Sequence, residues 1–339
     1  MKPIKRTSIV ITTIVLVLVI ALSSFFYLNS LQNNAGSLES ITVAYSPFES
    51  TALFLVAQKQ GFFSQNSLNL TVHNYDSGAG ALGAVINGEA DIAVGTTEFP
   101  LVIRALDQEN IQTIGSLSKS DFIYLVGRAD RGINDPSDLK GKIIGTTFGT
   151  IAHYFLGRFL VLNGINISDV SIVDLKTSSE WVNAVVNGSI DVVATAQPYA
   201  NSAKEGLGTN AVVWSIHSSQ PLYAQVIGTN QWVTAHPELC SKLLRALYQA
   251  EQFVIDHPAE AKTIVKQLTN FSDAYIETVW GQNQFSLSLD LSLLRAMEGE
   301  ARWLINNNLT NQTAVPDFLD YIYLDGLASV KPMSVSITR

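Results

Sequence analysis

The chain has one cysteine in 339 residues, Cys240, so no disulfide can form within it and no thiolate cluster can hold a metal. Cys240 falls inside a helical pattern, where a lone cysteine is a small core residue rather than a nucleophile. Histidine is scarce too. His73, His217, His236 and His257 share no metal-ligand spacing, and His153 stands alone beside a threonine-rich loop, so neither a metal nor a cofactor is expected. Positive charge is sparse: 21 Lys and Arg against 29 Asp and Glu leave a net charge of −8. The one basic group, Lys2, Lys5 and Arg6, lies at the N-terminus, which excludes the concentrated footprint that nucleic-acid binding needs.

Long apolar runs are equally rare. The exception spans Thr7 to Leu28, is uncharged, and is long enough to cross a bilayer as a helix. Its positive flank belongs in the cytoplasm, so everything after it is expected outside. Residues 1–28 therefore read as a signal or anchor segment. Spanning length favours an uncleaved transmembrane helix over cleavage near Ala21-Leu22-Ser23. Residues 29–40, polar and without periodicity, read as a tether.

What is present is a repeat. Ala84 to Pro100 (AVINGEADIAVGTTEFP) returns one hundred positions later as Ala184 to Ala200 (AVVNGSIDVVATAQPYA). Asn87-Gly88 matches Asn187-Gly188, and Asp91 matches Asp191. Upstream, the segment from Ile41 is answered by the one from Lys142, each a strand, a polar turn, a helix and a glycine. Short β-rich runs alternate with helices throughout, as in parallel α/β architecture. The expected fold is thus α/β with two lobes, each a mostly parallel sheet flanked by helices. Lobe I is assigned to residues 41–127 and 225–339, and lobe II to 128–224. The charged, Gly/Pro-bearing block Arg128 to Gly141 is taken as a crossing between them. From Pro237 onward, successive helical patterns need an apolar surface, and lobe I is expected to supply it.

In open α/β sheets, ligands bind beyond the carboxyl ends of strands, where helix N-termini converge. Six hydroxyl-rich loops fit that description, beginning at Ser46, Ser77 and Thr96 in the first unit and at Thr146, Thr177 and Thr195 in the second. Any one such Ser or Thr is more simply a helix N-cap, so the expectation rests on the set. None of the six contains Lys or Arg, whereas Glu49 and Glu98 bring two carboxylates, which points to an amino group on the solute. Gly78 to Gly83 formally matches a dinucleotide fingerprint, but the helix after it is too short, and a tight turn explains its glycines.

The segments SPFESTALFLVAQKQGFF, INGEADIAVGTTE, DLKGKIIGTTFGTIAHYFL, VNGSIDVVATAQPY and FLDYIYLDGLASVKPMSV occur in this order. Together they resemble the solute-binding proteins of nitrate, sulfonate and taurine ABC importers. The resemblance covers nearly everything after Ile41. It implies a two-lobed periplasmic-binding-protein fold, type II-like, closing on a small polar solute. It also implies delivery to a membrane permease and its ATPase by an extracytoplasmic monomer that is not an enzyme. Carried over by position, Ser46, Phe48, Glu49, Thr51, Ser77, Thr96, Thr97, Glu98, Thr147, Gly149, Thr150, His153 and Gln197 would face the ligand. Such proteins often carry a Trp before the proline at 198, where this chain has Ala196-Gln197. Two other readings remain open: an enzyme of the pyrimidine-synthase-like branch of the same fold, and a ligand-sensing ectodomain.

Overall fold

The computed structural model describes residues 38–338, apart from Ser218. The expected membrane segment and most of the tether lie outside these residues. Among the described residues, no helix is long and apolar enough to cross a membrane.

Two sheets organise the chain. The first contains β1 (Glu39–Tyr45), β2 (Leu68–Asn74), β3 (Ile92–Thr96), β4 (Ile111–Ser120), β10 (Leu222–Thr229) and β11 (Asn283–Ser288), in the order β11-β4-β10-β3-β1-β2. The second contains β5 (Ile123–Arg128), β6 (Ile143–Thr146), β7 (Ser171–Asp174), β8 (Val192–Ala196) and β9 (Ala211–Ser215), in the order β7-β6-β8-β5-β9. Around the first sheet run α1 (Ala52–Lys59), α2 (Phe62–Gln65), α3 (Gly78–Ile86) and α4 (Glu98–Leu106). The second sheet has α5 (Ile151–Leu162), α6 (Ser178–Asn187) and α7 (Tyr199–Leu207). The chain ends with α8 (Asn230–Ala235), α9 (Pro237–Asp256), α10 (Pro258–Thr269), α11 (Asp273–Trp280), α12 (Leu291–Asn306) and α13 (Leu324–Val330). These last helices pack around the first sheet's helices: α9 lies on α1, α2 and α13, and α10 on α1.

The repeat is structural. Asp91 accepts the Thr42 N–H through Oδ2 at 2.7 Å and returns its own N–H to the Thr42 carbonyl. Asp191 does both with Ile143, its Oδ2 accepting at 2.9 Å. Each aspartate thereby pins a helix-to-strand turn to the neighbouring parallel strand, with Val43 opposite Ile92 and Ile144 opposite Val192. Ser77 and Thr177, again one hundred apart, cap α3 and α6 by accepting the N–H of Gly80 and Glu180.

Two expectations need correcting. Each sheet is mixed rather than mostly parallel: β10 runs antiparallel to β3 and β4, and β5 runs antiparallel to β8 and β9. The cause is connectivity, because β5 and β10 are the strands on which the chain enters a sheet after changing lobes. Nor is Arg128 to Gly141 the crossing. The chain changes sheet at 121–122 and again at 216–221, so β5 pairs in the second sheet and the whole of β10 in the first. The charged block instead turns within the second unit, where Asp138 accepts the N–H groups of Asn134 and Asp135. Phe318–Tyr321 is a 3₁₀ turn leading to α13, and β11 adds a strand to the sheet edge.

The core of lobe I is built from apolar side chains on both faces of its sheet, including Ile41, Leu53, Phe54, Leu82, Leu101 and Leu247, all fully buried. Cys240 sits in that core, and burial pushes its thiol up to about 12, so it stays protonated and inert.

Candidate functional site

A cavity of about 750 Å³ lies where the loops after β1, β2 and β3 meet those after β6, β7 and β8. The first crossing borders this region, and Phe122 and Ile123 form part of the wall. The first lobe contributes Ser46 to Ser50, Asn74 to Asp76, Gly78, Ala79 and Gly95 to Thr97. The second contributes Thr147, Thr150, Lys176, Trp181 and Ala194 to Tyr199.

The floor on the lobe I side depends on two glycines. Gly95 has φ +86°, and a Cβ built there would stand 2.1 Å from the Ser46 carbonyl oxygen. A Cβ on Gly78 would meet the Thr96 Cα at 2.5 Å. The glycines therefore let the start of α3 and the loop after β1 press against the end of β3. For Gly78 this replaces the dinucleotide reading with a packing reason.

Of the residues expected to face a ligand, Ser46, Phe48, Glu49, Thr96, Thr97, Thr147, Thr150 and Gln197 line the cavity. Thr51, Ser77, Glu98, Gly149 and His153 do not. Thr51 donates to the Phe48 carbonyl at 2.6 Å and pairs with the Tyr45 hydroxyl at 2.7 Å, fixing the 3₁₀ turn that carries Glu49. Ser77 is a cap. The backbone N–H of Gly149 bonds to His153 Nδ1 at 3.3 Å. The His153 ring is stacked on Phe148 and edged by Trp303, and burial lowers its pKa. Glu98 is fully buried away from the cavity. Its Oε2 accepts the Tyr223 N–H at 2.8 Å, and its carboxyl neighbours that of Glu300, also fully buried, while Glu98 Oε1 and Glu300 Oε2 have no hydrogen-bond partner. Both carboxyls are driven upward, first by burial and, at Glu300, by the neighbouring Glu98 charge.

Several wall residues were not anticipated from the sequence. Tyr75, Phe122, Trp181, Tyr199 and Phe271 join Phe48 to give six aromatic walls. Trp181 is aimed by Thr147, whose hydroxyl accepts the indole N–H at 3.0 Å while donating to the Leu175 carbonyl. The rings of Trp181 and Tyr199 meet edge-on, 5.3 Å apart. The aromatic surface missing at 196–197 is thus supplied from elsewhere.

The charged groups of the wall are Glu49, Asp76 and Lys176. Lys176 is exposed and already pairs with Asp174. Glu49 is 3% exposed, its Oε2 accepts the Tyr275 hydroxyl at 3.2 Å, and burial raises its pKa. Two buried wall hydroxyls have no hydrogen-bond partner: Ser46 Oγ on one lobe and Thr195 Oγ1 on the other.

With this geometry in view, comparisons with known proteins place the chain. The sequence model of the NMT1/THI5-like family matches residues 49–261. The chain belongs to this family. YtlA of Bacillus subtilis, named as a binding protein, is 25% identical over 211 residues, which is 60% of this chain and 63% of YtlA. The alignment therefore spans less than two thirds of that relative. The taurine-binding periplasmic protein of Escherichia coli is 26% identical over 225 residues, 65% of this chain and 68% of that protein. Among solved structures, the aliphatic sulphonate-binding protein SsuA of Escherichia coli superposes with a TM-score of 0.72 at 14% identity, covering 84% of this chain and 97% of SsuA. The desulfurization enzyme DSZB superposes at 0.64 and 16% identity, covering 87% and 99%. These likenesses establish the two-lobed periplasmic-binding-protein fold, on which both binding proteins and an enzyme are built.

Proposed function

We propose that this NMT1/THI5-like protein is the extracytoplasmic solute-binding component of an ABC importer, closing its lobes on one small solute. The observation that carries the reading is the pair of partnerless hydroxyls, Ser46 Oγ and Thr195 Oγ1, buried on opposite walls of one cavity. A buried hydroxyl without a partner costs free energy that a ligand bridging the lobes would recover. Because such a ligand touches both lobes only when they are closed, it shifts the balance toward closure.

The names of the taurine- and sulphonate-binding relatives support a solute of that general size. Binding is favoured over catalysis because, among the described residues, no cysteine or histidine lines the cavity: the nearest histidine in sequence, His153, is stacked on Phe148. The lobes would pivot about 121–122 and 216–221. The apolar stretch 7–28 would tether a monomer to the outer face of the cell membrane, beside a permease and its ATPase.

The test is a thermal-shift panel of taurine, alkanesulfonates, nitrate, amino acids and aromatic amines, with each solute recovered and checked for conversion. The cognate solute at one hundred times its Kd should stabilise the fold by about 2.7 kcal/mol and be recovered unchanged. Turnover of any of them would overturn the reading.

A further inference from the structure

We infer that the solute carries a protonated amine, seated on Glu49, on a body with an aromatic or similarly flat apolar ring. This rests on the binding-protein reading and names the chemistry of the same cavity. Three observations converge. Glu49 lies in the wall, nearly fully buried, and is held by a phenol rather than by a cation. The wall's other carboxylate, Asp76, adds negative charge, while its one cation, Lys176, is satisfied by Asp174. A fully anionic solute would therefore meet repulsion without a compensating arginine. The remaining surface is aromatic, with Trp181 and Tyr199 from one lobe and Phe48 and Tyr75 from the other. Such faces favour a flat ring and also attract a cation beside them.

A carboxylate removed from water demands a charged or hydrogen-bonded partner, and its own backbone N–H and the Tyr275 phenol supply two neutral donors but no positive charge. An ammonium brings three donors and the opposite charge. Tyr275 completes the seat from α11. Its phenol stays protonated, because burial and the adjacent Glu49 charge push its pKa upward. Ser46 and Thr195 then remain for polar groups at other positions on the ring.

The experiment titrates the full chain with three probes of one shape: 2-phenylethylamine, 2-phenylethanol and 2-phenylethanesulfonate, followed calorimetrically at pH 7. The expected order places the amine at least about tenfold tighter than the alcohol, with the sulfonate weakest. Glu49→Gln should remove the amine's advantage over the alcohol, and an unfolding midpoint without solute that matches the wild type shows that the variant is folded. Preference for the sulfonate, or no binding of any probe, would overturn the inference. The binding-protein reading survives either result if another solute stabilises the chain without turnover, so the two can fail separately.

Discussion

Gly95→Ala should destabilise the protein by about 4 kcal/mol or more and abolish solute binding, although it adds a single methyl group. Two costs combine. At φ +86° an L-residue is strained by about 1–2 kcal/mol. The added Cβ would also lie 2.1 Å from the Ser46 carbonyl oxygen, an approach that only backbone movement can relieve. That movement must break the bond from the Ser46 N–H to the Val94 carbonyl, 2.9 Å long, and displace the loop carrying Ser46, Phe48 and Glu49. Gly88→Ala is the control. Its φ is +76° but nothing lies within 4 Å of the new Cβ, so strain alone remains and the loss should stay near 1–2 kcal/mol. Urea unfolding of both variants separates the terms, and equal losses would show that the contact with Ser46 does not matter.

The second large effect is a loss of stability with rising pH from the Glu98–Glu300 pair. Both folded-state pKa values exceed that of an unfolded glutamate, and that of Glu98 is pushed up to about 8. Between these values the folded chain keeps a proton that the unfolded chain has lost, so stability falls as pH rises toward 8. Buried His153 and His217 act oppositely but lower down. Burial depresses their pKa values, so they cost stability only as pH falls through the ordinary histidine range near 6.5. The interval from 6.5 to 8 therefore isolates the acids, where a full retained proton is worth about 2 kcal/mol.

Glu98→Gln should flatten this slope and raise stability at pH 8. The amide oxygen can still accept the Tyr223 N–H, while its NH₂ can donate to Glu300. Glu98→Ala should instead destabilise at every pH, leaving the Tyr223 N–H unpaired and a void. Unfolding midpoints at pH 6.5 and 8 check both variants, and a parallel slope in wild type and Glu98→Gln would contradict the assignment. The pair also touches the second crossing. Gln220, in the second crossing, donates to Glu300 at 3.2 Å and accepts the Tyr154 hydroxyl from α5 at 2.9 Å. The acid pair thus anchors the segment joining the lobes.

The sequence made legible what is local and repeated. Asn-Gly, the aspartate and the cap recur at a fixed interval because each holds the same turn, so Asp91 and Asp191 bond to equivalent strands. The strand-end loops could be located for the same reason. The first crossing could not: it is two residues, Asp121 and Phe122, with no Gly or Pro, whereas the charged turn after Arg128 carried every mark of a connection. From the sequence Glu98 reads as a ligand-facing carboxylate because its partner, Glu300, is more than two hundred positions away. The aromatic walls come from separate segments with no shared spacing. The one signal was positional, since Tyr75 and Trp181 flank the caps Ser77 and Thr177 of the loops already chosen.

If one solute joins the two lobes, the distance between them must respond to it. Spin labels on His73→Cys and Ser179→Cys, both exposed and on opposite lobes, would report across the cavity, while the buried Cys240 stays unlabelled. A solute that stabilises the chain should shorten and narrow the distance distribution. Ser46→Ala combined with Thr195→Ala should weaken that response. A bound solute that leaves the distance unchanged would show that the lobes do not close on it.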